Sequence, residues 1–412
     1  MLQKVSLGPK SIDKYNKIYQ DGFMDELRDL AKDLKGIRLC HINSTPFGGG
    51  VAELLLSVIP LMRDLGINAD WQVITGDRRF FDITKSLHNA IQGAHYPLLE
   101  RITERVYLQN NLENAKELST EYDVFIVNDP QPAALRHFCD EKHAKWIWRC
   151  HIDSAEPDEY AWQFLRPYVE EHDAAIFTME KFIPADLQVT EIVTVAPAID
   201  AFSPKNLPLP KDLCRDILDN QGIDRNRPLV VQVSRFDPWK DPFGVIKAYQ
   251  IAKEKIPDLQ LALVGSLAGD DPEGWQIYAA IHDEANKDPD IDVFSNLTGV
   301  GNMEVNAFQT AANVAIQKSI KEGFGLVVAE ALWKKTPMIA GNAGGIPMQM
   351  SGKLKNNLVN SVEECADKIV YLLENPETSE ELAIEGKENI RKNFLTPRLI
   401  RDELALVKKL VG

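Results

Sequence analysis

Pro228-Leu229-Val230-Val231-Gln232-Val233-Ser234-Arg235-Phe236-Asp237-Pro238-Trp239-Lys240-Asp241-Pro242 reads as a buried strand, a turn and the opening of a helix. Leu229 to Val233 is the near-continuous apolar run of a strand covered on both faces, as in a parallel sheet. The pattern repeats outward from this stretch. After it, strands are predicted at Leu259–Gly265, Ile291–Asn296, Val314–Gln317 and Pro337–Gly341. Helices are predicted at Pro242–Ile256, Gly274–Asn286, near Glu304–Ala312, and at Phe324–Lys335, Glu363–Glu374, Ser379–Asn393 and from Pro397 onward. Before it, strands are predicted at Ile37–Asn43, Ala69–Thr75, Asp123–Asp129, Lys145–His151, Ala174–Thr178 and Ile192–Ala198. An amphipathic helix over Val51–Leu65 separates the first two of these. Alternation of this kind places the chain in the α/β class.

Pro197, Pro204, Pro208 and Pro210 interrupt the alternation near residue 200, and each removes a backbone donor and fixes φ. The expectation is two Rossmann-like domains, 1–200 and 201–396, with the last helix, about 397–412, packing back on the first. In such sheets ligands bind beyond the carboxyl ends of the strands, so two domains facing across a cleft would share one site.

The chain has 412 residues, and 46 Lys+Arg against 61 Asp+Glu gives a formal charge of −15. Most of such a surface repels polyanions, which argues against nucleic-acid and anionic-membrane partners and leaves room for a small anion in one basic pocket. Cys40, Cys139, Cys150, Cys214 and Cys365 lie far apart without a CxxC, so neither a zinc site nor a disulfide framework is expected. The first residues carry no apolar leader, and no apolar run approaches the roughly 18 residues of a membrane span. A cytoplasmic protein is expected.

Three stretches carry chemistry. Gly48, Gly49 and Gly50 lie between the first strand and its helix, where backbone N–H groups can approach a phosphate. They fit neither G-x-G-x-x-G nor a Walker loop, and the same glycines suit a tight βα turn. Arg235 and Lys240 follow the first strand of the second half, at the end where ligands bind, and a guanidinium with an ammonium suits a diphosphate. The most specific stretch is Glu322-Gly323-Phe324-Gly325-Leu326-Val327-Val328-Ala329-Glu330. Its glycines bracket a helix start, and its two carboxylates stand roughly 8–10 Å apart along the axis, able to accept hydroxyl hydrogens from two parts of one ligand. Asp288-Pro289-Asp290 precedes a strand and reads as a solvated turn.

Glu322 through Glu330 resembles the E-x7-E element of retaining glycosyltransferases with the GT-B fold. With Ser234–Asp241 and the triple glycine, the chain is similar to glycosyltransferase family 4. Trp148–Asp153, Asn128–Pro132 and Arg79–Lys85 with His88 and Asn89 make it look most like the family's trehalose synthases, which join a nucleotide-activated glucose to free glucose. The resemblance implies that Arg235 and Lys240 hold the donor diphosphate, that Glu322 faces the donor hexose, and that Gly323, Phe324, Gly325 and Leu326 line sugar and phosphate. It implies Glu330 at the ribose, Val300 near the base, Gly48, Gly49 and Gly50 near the diphosphate, and His151 near the reacting sugar. Asp129, Asp153, Lys85, His88 and Asn89 become acceptor-side candidates. Asn128 stands where the resemblance implies a histidine.

The activity so implied is reversible glucosyl transfer from NDP-glucose to glucose with retention, giving trehalose. No tightly bound cofactor and no protein-held metal are implied, Mg2+ accompanying the nucleotide is allowed, and so is a homodimer. Transfer to another sugar acceptor, of sucrose or glucan type, and a non-catalytic nucleotide-sugar sensor remain the competing readings.

Overall fold

The computed structural model describes residues 2–47, 49–95, 101–119, 121–139, 143–267 and 272–412. The chain divides into two compact units, Met1–Ala198 with Thr396–Gly412, and Ile199–Leu395.

The first unit carries β1 (Gln3–Lys4), β2 (Arg38–Asn43), β3 (Asn68–Val73), β4 (Val124–Asn128), β5 (Lys145–Arg149), β6 (Ala174–Phe177) and β7 (Glu191–Thr194). Its sheet order is β1-β3-β2-β4-β5-β6-β7, parallel throughout except for β1 against β3. Trp71, Trp146 and Trp148 are fully buried, and side chains of this size dominate the burial that holds a sheet to its helices. The final helix, Thr396–Val411, turns Leu399, Ile400, Leu404 and Val407 inward, a spacing that puts all four on one face. Arg398 ties it down by donating to the carbonyls of Ala196 and Pro197, at 2.7 and 3.0 Å.

The second unit carries β8 (Leu229–Val233), β9 (Gln260–Gly265), β10 (Ile291–Ser295), β11 (Val314–Gln317), β12 (Met338–Gly341) and β13 (Leu358–Val359) in a fully parallel sheet of order β10-β9-β8-β11-β12-β13. The order reverses between β8 and β11, which pair through Val314 with Val230 and Ala315 with Val231. Such a reversal is where ligands of open parallel sheets bind. Arg235 to Lys240 follow β8, and Ser319 to Gly325 follow β11.

The proline-rich segment around residue 200 is laid firmly on this unit. Ile199 bridges Leu395, and Asn306 donates to the carbonyls of Pro204 and Leu207 at 2.9 and 2.8 Å. Among the described residues, no helix is long and apolar enough to cross a membrane.

Candidate active site

Asp237 caps the short 3-10 turn Pro238–Lys240 by accepting from the Trp239 amide at 2.8 Å, and Asp241 then adopts a left-handed conformation (φ 48°) and caps the helix Pro242–Lys253. This tight reversal directs Lys240 toward the loop after β11. Its Nζ lies 2.7 Å from Glu322 Oε2, with both side chains largely buried. Gln232 on β8 holds the Lys240 carbonyl at 2.8 Å, and Lys318 pairs with Asp241 beside it. Arg235 does not enter the Lys240–Glu322 pair. It is exposed and contacts Asp237 at 3.3 Å, leaving its guanidinium open to solvent and to a ligand.

Glycines shape the loop after β11. Gly325 has φ 80° and caps the helix Leu326–Trp333, so the helix begins two residues later than the pattern suggests. Phe324 instead turns inward against Phe394, with ring centroids 5.4 Å apart. Gly344 has φ 52°, and a Cβ there would sit 1.5 Å from the Glu322 carbonyl oxygen, so only glycine allows this approach. The Gly345 amide donates to the Gly323 carbonyl at 3.0 Å, and Gln349 donates to the Phe324 carbonyl at 2.6 Å. The backbone is fixed from below, and the helix start carries partial positive charge.

Glu330 lies one turn inside that helix and is 1% exposed, so it is no solvated surface residue. Lys205 reaches its Oε1 at 3.3 Å, and Lys334 donates to its carbonyl at 3.1 Å. Its Oε2 is buried without a hydrogen-bond partner among the described residues, an acceptor suited to a hydroxyl. Val300 is buried and its amide donates to the Ser295 carbonyl at 3.1 Å. Beside it Leu297 is exposed and Gly299 has φ 82°. The Asp288–Asp290 turn is ion-paired: Lys253 contacts both aspartates at 2.6 and 2.8 Å and Arg227 contacts Asp290 at 2.7 Å.

In the first unit, His151, Asn128 and Asp129 come together at the carboxyl ends of β4 and β5. His151 Nε2–H donates to Asn128 Oδ1 at 2.9 Å, while Asn128 Nδ2 donates to the carbonyls of Ile42 and Ile126. That fixes the tautomer and leaves Nδ1 as the acceptor. The asparagine therefore holds the catalytic candidate in place. Asp129, at φ 66°, accepts from the His151 amide at 2.9 Å, and burial pushes its carboxyl up to about 7. Burial, then the Arg149 charge, holds His151 well below the ordinary imidazole value, so it is neutral near pH 7.

Beneath these residues lies a buried set that the sequence reading passes over. Arg149 pairs with Glu403 of the final helix, both almost inaccessible, and His41 Nε2 lies 3.9 Å from Glu403. A carboxylate among Leu399, Ile400, Leu404 and Val407, on an otherwise apolar helix face, was the available signal. Asp153 turns its carboxylate to the Ala155 amide at 3.1 Å, and among the described residues no hydrogen bond joins it to His151. Lys85, His88 and Asn89 stand on the helix Arg78–Ile91; Lys85 is exposed and the other two are half-buried. Gly49 caps the helix Gly50–Asp64 in an extended conformation, and both glycines are exposed; Gly48 lies outside the described residues.

Residues 41–184 match the family described as trehalose synthase, N-terminal domain, and residues 215–389 match glycosyl transferases group 1. Over 416 residues the chain is 46% identical to the trehalose synthase of Rubrobacter xylanophilus, covering 100% of each sequence. The chain belongs to the trehalose synthase family. The trehalose synthase of Thermococcus litoralis, another member, is 43% identical over 399 residues, 97% of each chain. Among solved structures, an α,α-trehalose-phosphate synthase (UDP-forming) from Burkholderia xenovorans in complex with glucose-6-phosphate superposes with a TM-score of 0.71, covering 90% of this chain and 100% of that one at 14% identity. The family's fold is thus α/β of the GT-B type, and its members are glycosyltransferases.

Proposed function

We propose that this chain transfers a glucosyl group from NDP-glucose to glucose with retention, forming trehalose, and that it runs the reaction in both directions. The observation that carries this reading is the Lys240–Glu322 pair, which joins the loops after β8 and β11; exposed Arg235 lies on the first of these loops and the helix start at Leu326 follows the second. In this reading the cations and the helix start serve a diphosphate and the carboxylate serves a sugar. Full-length identity of 46% to a trehalose synthase supports trehalose as the product.

In this reading the bond from glucosyl C1 to the diphosphate oxygen breaks while the acceptor oxygen bonds to C1 on the same face. The acceptor proton passes to the departing phosphate oxygen, so no covalent glucosyl-enzyme is needed. Charge grows on the leaving oxygen, where Arg235, Lys240 and the Gly325–Leu326 helix start lower the barrier; each well-placed donor at such a position contributes roughly 3–4 kcal/mol. Glu322 accepts hexose hydroxyls, Glu330 accepts from the ribose, and the turn at Val300 borders the base. Any Mg2+ arrives with the nucleotide. On the acceptor side, neutral His151 and Asp129 meet the incoming sugar, with Asp153, Lys85, His88 and Asn89 as further contacts.

Incubating UDP, ADP or GDP with trehalose tests the reading. Release of glucose with formation of NDP-glucose is the expected result. Binding of nucleotide without turnover would leave a sensor, and turnover only with another disaccharide would move the acceptor assignment.

A further inference from the structure

We infer that Ser319 is a positioning residue for transfer, setting the rotation of the Glu322 carboxylate so that one oxygen is held and the other is presented to the donor hexose. The inference rests on the donor-site reading above. Lys240 Nζ and Ser319 Oγ both reach the same atom, Glu322 Oε2, at 2.7 and 3.1 Å. Oε1 has no hydrogen bond among the described residues. Gln317, buried at the end of β11, donates from Nε2 to Ser319 Oγ at 3.0 Å. A hydroxyl that already accepts from Gln317 has its own hydrogen left for Glu322, so the direction of donation is set along Gln317, Ser319 and Glu322.

The surrounding backbone leaves little else to adjust. A Cβ on Gly341 would lie 2.2 Å from the Ser319 carbonyl oxygen, and one on Gly344 would lie 1.5 Å from that of Glu322. Both ends of the Ser319–Glu322 loop are therefore seated on glycine, and the remaining freedom is in the Glu322 side-chain torsions. Lys240 cannot set them throughout the reaction, because a diphosphate competes for the same ammonium. Ser319 has no such competing ligand, since its hydroxyl is buried between Gln317 and the carboxylate. It keeps Glu322 oriented when Lys240 turns to phosphate.

Ser319→Ala and the nearly isosteric Ser319→Cys, whose thiol is a weak donor, test this. Measured are kcat and KM with UDP-, ADP- and GDP-glucose, and the Kd of the matching nucleoside diphosphates. The expected result is a fall in kcat of about tenfold in both variants, with nucleoside diphosphate Kd unchanged within twofold. Unchanged kcat overturns the inference, and so does a parallel loss of kcat and diphosphate affinity, which marks a merely structural role. Glu322→Gln in the same assay separates the two levels: full activity of that variant would defeat the donor-site reading itself, whereas an impaired Glu322→Gln beside a fully active Ser319→Ala defeats only the role of the serine.

Discussion

Lys240 Nζ and Glu322 Oε2 lie 2.7 Å apart, joining the loops that follow β8 and β11. The pair thus neutralises itself in the unliganded chain. Under the proposed roles, a free diphosphate would compete with Glu322 for the ammonium, while a complete nucleotide-sugar would offer hydroxyls to Glu322 in return. Glu322→Gln is therefore expected to bind UDP or ADP alone about three- to tenfold more tightly while losing turnover, because neutralising one partner frees the other. Calorimetric titration beside steady-state kinetics reads the two opposite signs, and weaker diphosphate binding would count against the competition.

Glu330 has one oxygen on Lys205 and one without a partner among the described residues. If the free oxygen receives ribose hydroxyls, Glu330→Gln should raise KM for the nucleotide-sugar about tenfold and leave kcat within twofold. Inhibition by pyrophosphate, which has no ribose, should stay the same. An equal loss of pyrophosphate and UDP affinity would show that the helix itself had moved.

Asp129 and His41, both buried in the first unit, titrate with opposite sign. Asp129 rises from 3.8 to about 7 through burial, so the folded chain keeps a proton that the unfolded chain releases; its contribution to stability is present below about pH 4 and is lost as pH rises through about 7. His41 falls from 6.5 to about 3, through burial and then the Arg149 charge, so its contribution is present above about pH 6.5 and is lost as pH falls toward 3. Asp129→Asn, which also tolerates φ 66°, should flatten the alkaline side of the stability profile between about pH 5 and 7.5 and leave the acid side intact. Urea unfolding midpoints across that range check it, and an unchanged alkaline slope would remove Asp129 as its source.

Glu403 and Arg149 are buried together. Glu403→Leu leaves the guanidinium uncompensated and should lower unfolding free energy by about 3–5 kcal/mol, whereas pairing it with Arg149→Met should recover most of the loss. Equal destabilisation of the single and double variants, by urea denaturation, would show that the pair matters for its shape and not its charge.

The strands were legible because buried parallel strands are almost uninterrupted apolar runs, as Leu229–Val233 and Val124–Asn128 show. Gln3–Lys4 and Leu358–Val359, two residues each, are too short to carry a period. Helices such as Phe23–Asp33 and Lys211–Asn220 escaped notice because polar residues crowd them, and only packing discloses their inward faces. That Lys240 and Glu322 follow strand ends was legible in the sequence; that they pair was not. Lys205, Lys318 and Ser319 were not legible as site residues, because their partners Glu330, Asp241 and Glu322 lie 125, 77 and 3 residues away and only the folded backbone says which of them meet.

The central claim is that cations at the β8/β11 reversal stabilise a departing diphosphate. Its most direct measurement is the rate of UDP release from UDP-glucose in the presence of glucose, compared between the unaltered protein and Arg235→Ala. Arg235 is exposed and, among the described residues, ion-pairs only with Asp237, so its loss should leave the fold intact, verified by an unchanged unfolding midpoint. The account predicts a loss of about 10²–10³ in turnover; turnover within twofold of the unaltered protein would contradict it.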